Sequence, residues 1–318
     1  MKIFGITKRE ALFAKRLGLN PYQMRYLGQE FLSEAARPAI ELWRLVLGLV
    51  LIFACYMALG YTYFTLLAEL VTPLEWPALA AEIDAGSSAR GLLAILASFG
   101  LIIISIALVL SQLHGRRLHT LFGEGWTFFD NLWRVTIALT GLAAILWLLP
   151  EPALLVPFHN TDYLRWLALL PMSVPLLMIQ VSAEELLFRG YLQSQLAARF
   201  KSPLIWLLLP SLVFGLLHYD VETAGSNAWA LALSATLFGL AAADLTARAG
   251  SLAPAIALHF LVNFTALLYV SPGDVNYGLA LYTYPFELSD STVRTVWLPY
   301  DLMIMLVAWL TARLSLRR

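Results

Sequence analysis

The sequence predicts an all-α integral membrane protein, a polytopic bundle of about eight transmembrane helices with both termini in the cytoplasm. Hydrophobic residues make up 60% of the 318 residues and charged residues only 13%, against about 25% charged residues in an ordinary soluble domain. Long apolar segments recur along the chain, and basic residues concentrate in alternate connections between them. Because so little polar surface is available, we expect the bilayer to be the natural solvent of this chain.

Eight segments have the length and composition of membrane spans. A helix needs about 20 mostly apolar residues to cross about 30 Å of hydrocarbon. Apolar residues occupy all faces of most of these segments, which is typical of helices in lipid or in a bundle interior. The predicted spans are 42–67, 91–113, 132–150, 163–183, 203–219, 228–247, 251–270 and 296–313, and the fourth continues as a helix to about residue 199.

The distribution of Lys and Arg predicts the orientation. If the N-terminus is cytoplasmic and the spans alternate, 18 of the 21 basic residues lie on the cytoplasmic side, and only Arg90, Arg165 and Arg294 lie outside. The opposite topology would violate the positive-inside rule almost everywhere. We therefore predict a multi-pass protein of a bacterial cytoplasmic (inner) membrane. The formal net charge is zero, so no overall field favours nucleic acid as a partner.

Ionisable and amide side chains inside the spans concentrate in one region. Such groups are costly in lipid and indicate a functional site. Counted from the turn near residues 199–203 at 1.5 Å per residue, Glu184 and His218 both lie about 22 Å from that turn. His259 lies about 16 Å beyond Arg248, so we expect the three side chains to share one layer of the membrane. The full set of site candidates is Glu184, Glu185, Arg189, His218, His259 and Asn263.

Helical spacing suggests how these side chains divide their roles. Glu185 and Arg189 are four residues apart, with Glu first, which favours an ion pair. Neighbouring residues point about 100° apart, so Glu184 and Glu185 are not expected to face one point, and Glu184 is assigned to chemistry. His259 and Asn263 share one helix face. A carboxylate, two imidazoles and an amide can activate water and stabilise an oxyanion.

Three motifs carry a resemblance to a known family. Glu184-Glu185-x-x-x-Arg189, Phe214-x-x-x-His218 and His259-x-x-x-Asn263 occur in this order. They resemble the CPBP family, the CAAX-protease and bacteriocin-processing (Abi) intramembrane peptidases. The resemblance covers roughly residues 165–270, about a third of the chain. It divides the sequence into a basic cytoplasmic N-terminal segment (1–40), three N-terminal spans (41–160), a catalytic core of four helices (161–271), and an outer loop with the last span (272–318).

The resemblance implies an intramembrane endopeptidase. Its substrate would be a membrane-embedded or lipid-anchored peptide or protein, such as a prenylated or bacteriocin-like one. Glu184 would be the general base, helped by His218, and His259 and Asn263 would stabilise the oxyanion. Glu185 and Arg189 would support the site by orienting the helix.

The three motifs are compatible with a metal-dependent and with a metal-free mechanism. Glu184, His218 and His259 could together supply a zinc site with an open coordination position. The motifs lack the compact His-Glu-x-x-His arrangement of many zinc peptidases, so a metal-free glutamate mechanism is favoured over a divalent metal such as zinc.

Two other functions compete with the peptidase. In the first, the chain is a non-catalytic membrane scaffold or immunity protein, and the polar cluster has only a structural role. In the second, the chain is a proton-coupled transporter that uses the same buried groups as a relay. Transporters of that kind often contain inverted repeats, and no repeat stands out in this sequence. The sequence does not indicate an oligomeric state.

Overall fold

The computed structural model describes residues 26–150 and 152–316. The predicted fold class is confirmed, because these residues form a helical bundle with very little strand. The predicted N-terminal segment before residue 26 lies outside the described residues. The helices are α1 Leu27–Glu34, α2 Leu42–Glu69, α3 Trp76–Ala85, α4 Ala89–Ser98, α5 Gly100–His114, α6 Gly125–Trp147, α7 Tyr163–Glu185, α8 Ser194–Arg199, α9 Pro203–Leu216, α10 Val221–Ala224, α11 Ala228–Ala249, α12 Ala253–Asn263 and α13 Leu298–Leu316.

Shorter and wider turns extend several of these helices. π-Helical segments follow α7 and α12 and precede α13, at Leu186–Gln193, Phe264–Tyr269 and Val293–Trp297. Single 3₁₀ turns lie at Arg37–Ala39, Leu118–Leu121, Ala153–Leu155 and Gly225–Asn227.

Six helical stretches among the described residues are long and apolar enough to cross a membrane, so the chain is a multi-pass membrane protein. The other two predicted spans are helical but shorter, at Pro203–Leu216 and Ala253–Tyr269. At 1.5 Å per residue, the 14 residues of α9 extend about 21 Å. The six longer stretches are Leu42–Glu69, Ala89–His114, Gly125–Trp147, Tyr163–Arg199, Val221–Ala249 and Val293–Leu316.

The span predicted at 203–219 ends earlier than expected. The helix stops at Leu216, and a turn leads directly to α10. The Asp220 carboxylate accepts hydrogen bonds from the backbone N–H groups of Glu222 and Thr223, at 2.9 and 3.2 Å. Because this N-cap starts a new helix at residue 221, the preceding helix cannot continue through it.

Alternate connections gather at opposite ends of the bundle, as the predicted alternation of spans requires. At the predicted cytoplasmic end, the Arg199 guanidinium donates to the backbone carbonyls of Ala39 and Glu41. At the other end, Asn227 donates to the carbonyls of Leu288 and Asp290.

A small sheet at this second end is a feature that the all-α prediction did not include. Three two-residue strands form it in the order β1-β3-β2. Strands β1 and β3 are antiparallel, and β2 and β3 are parallel. The sheet joins the connection before α7 to the long connection before α13. The strands are β1 Phe158–His159, β2 Val270–Ser271 and β3 Tyr282–Thr283.

Helices α9 and α11 pack closely because small residues face each other. A Cβ atom added to Gly215 would overlap the Thr236 hydroxyl oxygen and lie 2.5 Å from the Ala232 carbonyl oxygen. A Cβ atom on Gly239 would lie 3.0 Å from the Ser211 side chain. Close approach through small residues is the usual packing mode of membrane helices. It brings the Phe214 motif against the middle of α11.

We expect Gly215→Ala to lower the free energy of unfolding by about 1–3 kcal/mol, because the added methyl group overpacks the α9–α11 contact. Gly141→Ala is the matched control, since nothing lies within 4 Å of a Cβ atom at that helical glycine. Thermal unfolding of both variants in one detergent measures the effect. Equal stability of the two variants would show that the helices can separate without cost.

Candidate active site

A buried ion pair forms the base of the site. Arg189 Nη1 donates to Glu185 Oε1 at 2.9 Å, and Nη2 donates to the Gly239 carbonyl at 3.3 Å. The two side chains are 1% and 0% exposed. The guanidinium carbon lies 4.8 Å from the ring centroid of Phe214, which adds a cation–π contact. The predicted pairing of Glu185 with Arg189 is therefore confirmed.

His259 joins the two glutamates. Its Nδ1 donates to Glu185 Oε1 at 2.7 Å, and its Nε2 lies 3.4 Å from Glu184 Oε2. The two carboxylates reach different nitrogens of the ring, so they diverge as expected, but the sequence analysis did not predict that one histidine would contact both. An imidazole has nitrogens on two sides of its ring, so two carboxylates that diverge on one helix can each reach one nitrogen.

Charge balance restricts where the protons of this cluster lie. Because Glu185 accepts from His259 Nδ1–H, a neutral imidazole would turn the Nε2 lone pair toward Glu184. The contact between Nε2 and Glu184 is attractive only with a proton on Nε2 or on the carboxyl group. With His259 as the imidazolium, Glu184, Glu185, Arg189 and His259 sum to zero charge. Neutrality of this kind lowers the cost of burying charged groups.

The backbone changes from α to π geometry within the first motif and directly after the third. Helix α7 ends at Glu185 and the π segment begins at Leu186. Helix α12 ends at Asn263 and a second π segment begins at Phe264. Such segments are rare and occur frequently at functional sites. A sequence pattern based on 3.6 residues per turn cannot indicate them, so the sequence analysis missed both.

Asn263 bonds to a residue that the sequence analysis did not select. Its Nδ2 donates to Gln180 Oε1 at 2.9 Å. Gln180 is buried and precedes Glu184 by one helical turn, while Asn263 follows His259 by one turn. Helices α7 and α12 therefore meet through two successive polar pairs. A signal for Gln180 was present, because it is a polar residue four positions from Glu184 in an apolar helix.

His218 lies at the edge of the cluster. It occupies the turn after α9 and is exposed. Its Nδ1 donates to the Phe214 carbonyl at 2.8 Å, which leaves Nε2 free. The Phe214 ring lies 4.6 Å from the His218 ring and 6.1 Å from the His259 ring, measured between centroids. The structure therefore connects the two imidazoles through Phe214, with His259 buried and His218 at the surface.

The donors do not form the zinc site that the sequence analysis left open as an alternative. Within residues 26–150 and 152–316, no group of three His, Cys, Asp or Glu side chains is placed to hold a metal ion. Glu184 and His259 contact each other, but the second nitrogen of His259 is bonded to Glu185 and His218 bonds to a backbone carbonyl. Glu184, His218 and His259 are thus not assembled as three ligands of one metal ion.

A second buried ion pair lies in the neighbouring helix α11. Arg248 Nε donates to Asp244 Oδ1 at 2.8 Å, and the two residues are four positions apart. Asp244 also accepts hydrogen bonds from Tyr26 and Trp309. These contacts tie the end of α11 to the start of the described chain and to α13, so they are structural.

Comparison with known proteins agrees with the motifs. Residues 164–265 match the family described as type II CAAX prenyl endopeptidase Rce1-like, so the predicted resemblance is confirmed over this segment. A Bacillus subtilis (strain 168) protein described as uncharacterized protein YyaK is 30% identical over 115 residues. That alignment covers 36% of this chain and 38% of the relative's length. No solved structure matches the chain.

Proposed function

We propose that the chain, which shares its site segment with CAAX prenyl endopeptidases, is an intramembrane endopeptidase. One observation carries the proposal. The Glu184 carboxylate is 15% exposed and lies beside His259, while Glu185 and Arg189 beneath it are fully buried. A carboxylate that is open on one side and held by a charged network on the other can bind and activate a water molecule.

The proposed reaction uses Glu184 as a general base. Its carboxylate takes a proton from water as the water oxygen bonds to the carbonyl carbon of the substrate. The resulting oxyanion is stabilised by N–H donors from His259 Nε2 and from Asn263. The carbon–nitrogen bond then breaks, and Glu184 returns the proton to the departing amine. Substrate, water, acid and amine product balance without another reactant.

Asn263 can serve as a donor although it already bonds to Gln180. A primary amide carries two N–H bonds, and one of them satisfies Gln180 Oε1. The second remains for the oxyanion. Gln180 therefore acts as a positioning residue that fixes the direction of the Asn263 amide. Glu185 and Arg189 are positioning residues of the same kind, because Glu185 holds Nδ1 of His259.

The proposed substrate is a membrane-embedded or lipid-anchored peptide. The site lies on segments that are apolar enough to span or enter a membrane, and a soluble chain would have to leave water to reach it. The family description names a prenyl endopeptidase, so prenylated peptides are the first substrates to test. The mechanism proposed for them is metal-free, because the donors are not grouped as metal ligands in the described part of the chain.

The test is cleavage of a pooled set of prenylated and unmodified membrane peptides in proteoliposomes. His218 is proposed to assist Glu184 through its Nε2, since its Nδ1 is bonded to the Phe214 carbonyl. We therefore expect wild type to cleave, His218→Ala to be slower by about 10² or more, and a chelator to have no effect. His119→Ala, at an exposed histidine outside the site, is the matched control. Loss of cleavage with chelator would contradict the metal-free mechanism. Absence of cleavage by wild type would favour the scaffold.

A further inference from the structure

A second cluster of charged groups lies at the predicted cytoplasmic end of the bundle, away from the site motifs. Arg116 is its central member. The side chain is only 6% exposed, and all three guanidinium nitrogens are buried without a hydrogen-bond partner. Such groups are rare in proteins, and each requires an explanation. Arg116 has five N–H donors, and residues 26–150 and 152–316 supply no acceptor for any of them.

The backbone directs Arg116 inward. Helix α5 ends at His114, and the next residue, Gly115, has a φ of 60°, a conformation that glycine adopts without strain. The N–H of Arg116 then bonds back to the Leu110 carbonyl at 2.9 Å. This helix-ending motif buries Arg116, while Arg117 is exposed.

Further cations surround the same point. Arg44, Arg116 and Arg199 all lie within Coulombic range of the His114 imidazole. Arg199 Nε is also buried without a hydrogen-bond partner. Glu41 is the acidic residue in this group, and it pairs with Arg44 at 3.1 Å. The cluster therefore has an excess of two positive charges over its carboxylate.

Neutral polar side chains surround the neighbouring His114. The Tyr191 hydroxyl lies 2.9 Å from His114 Nε2, and Gln195 Nε2 lies 3.4 Å from His114 Nδ1. Burial lowers the pKa of Arg116 to about 10, so its guanidinium stays charged at neutral pH. A buried charge without a partner destabilises the folded chain. The cluster is thus complete only when an anion is bound.

The position of the cluster identifies the anion. Arg44 lies at the third position of α2, Arg116 lies two residues after the end of α5, and Arg199 is the last residue of α8. All three lie at the ends of helices that the positive-inside rule places on the cytoplasmic side, where lipid phosphates are expected. Guanidinium groups bind phosphate oxygens with two parallel N–H bonds. Anionic lipids of the cytoplasmic leaflet attract such basic residues.

The Nη groups of Arg199 donate to Gln195 and to the carbonyls of Ala39 and Glu41, and Arg44 donates to the Leu113 carbonyl, so these two side chains supply positive charge more than free donors. We propose that Arg116, beside these two charges, binds a phosphate group at the cytoplasmic boundary of the membrane. A phospholipid headgroup is the source that the position favours, and free phosphate is the other source of the same chemistry. The site is independent of peptide hydrolysis, because none of its residues belongs to the three motifs.

The experiment compares full-length wild type, Arg116→Gln and Arg117→Gln after removal of lipid in a non-ionic detergent. Arg117 is the matched control, an exposed arginine next to the buried one. The probes are phosphatidylglycerol, its phosphate-free analogue diacylglycerol, and sodium phosphate. Native mass spectrometry measures bound lipid, and thermal unfolding measures Tm. We expect phosphatidylglycerol, but not diacylglycerol, to bind wild type and Arg117→Gln and to raise their Tm.

Arg116→Gln is expected to bind phosphatidylglycerol at least about tenfold more weakly. Without phosphate it is expected to be at least as stable as wild type, because the buried unpaired charge is gone; a purely structural arginine would give a lower Tm. Arg116→Lys keeps the charge but loses the bidentate guanidinium donor. Its affinity for phosphatidylglycerol should therefore lie between those of wild type and Arg116→Gln.

A response to sodium phosphate instead of the lipid would identify free phosphate as the source. The proposal is overturned if neither phosphate probe binds wild type, or if Arg116→Gln binds as wild type does.

Discussion

Glu184→Gln is expected to reduce peptide cleavage by at least about 10³-fold while the free energy of unfolding stays within about 1 kcal/mol of wild type. The amide has the shape of the carboxyl group but cannot accept the proton of the attacking water. The contact of Glu184 with the network is the 3.4 Å approach to His259, and the side chain is partly exposed. Because the Glu184 side chain is partly exposed, water can screen the charge that the substitution leaves on its neighbours. We therefore expect the fold to depend much less on this carboxylate than the reaction does.

Single-turnover cleavage and thermal unfolding of the same preparations measure the two effects. Glu222→Gln is the matched control, because Glu222 is an exposed glutamate in α10 outside the site. It should leave both quantities unchanged. Residual cleavage by Glu184→Gln above about a tenth of the wild-type rate would remove Glu184 from the role of general base. Full biological function in an inactive Glu184→Gln chain would favour the scaffold instead.

The positions of the spans could be predicted because lipid imposes a simple rule on composition. Segments of about 20 apolar residues and the bias of Arg and Lys sufficed to locate the helices. The length rule of about 20 apolar residues does not fit α9 and α12, because both helices are shorter than that. Their ends are determined by local polar contacts, such as the Asp220 cap, and a hydropathy pattern does not include these contacts.

The composition of the site could be predicted in the same way, since charged groups in lipid are rare. The Glu185–Arg189 pair followed from helical spacing. The bridging position of His259 did not, because it depends on how α7 and α12 approach each other. The contact of Gln180 with Asn263 could not be predicted for the same reason, because it also joins α7 to α12. Spacing along one helix predicts contacts within it, and contacts between helices require the packed structure.

The two glutamates differ in what they do for the protein, although they are neighbours in sequence. Glu185 Oε1 accepts from both Arg189 Nη1 and His259 Nδ1, so it supports the fold and orients the imidazole. Glu184 touches the same imidazole from the open side. A substitution at Glu185 should therefore lower the stability of the fold and, through it, the activity. A substitution at Glu184 should lower the activity with little change in stability.

Glu185→Gln is expected to lower the free energy of unfolding by about 3–5 kcal/mol, because it leaves the Arg189 charge buried without its partner. Arg189 is 1% exposed, so water cannot replace the lost carboxylate. Equilibrium unfolding in mixed micelles measures the change. Asp130→Asn is the matched control, since the Asp130–Arg134 pair has the same spacing but side chains that are 59% and 47% exposed. It should cost at most about 0.5 kcal/mol.

The double variant Glu185→Gln/Arg189→Met tests whether the stability lost in Glu185→Gln comes from the uncompensated charge of Arg189. If the cost comes from an uncompensated charge, removing both charges should recover most of the stability, because an apolar side chain can replace a buried ion pair without loss. Cleavage should stay low, since the amide at residue 185 no longer holds the charge balance of His259. A double variant as unstable as Glu185→Gln would instead assign the loss to packing around Phe214. In that case the ion pair would contribute through its shape and not through its charge.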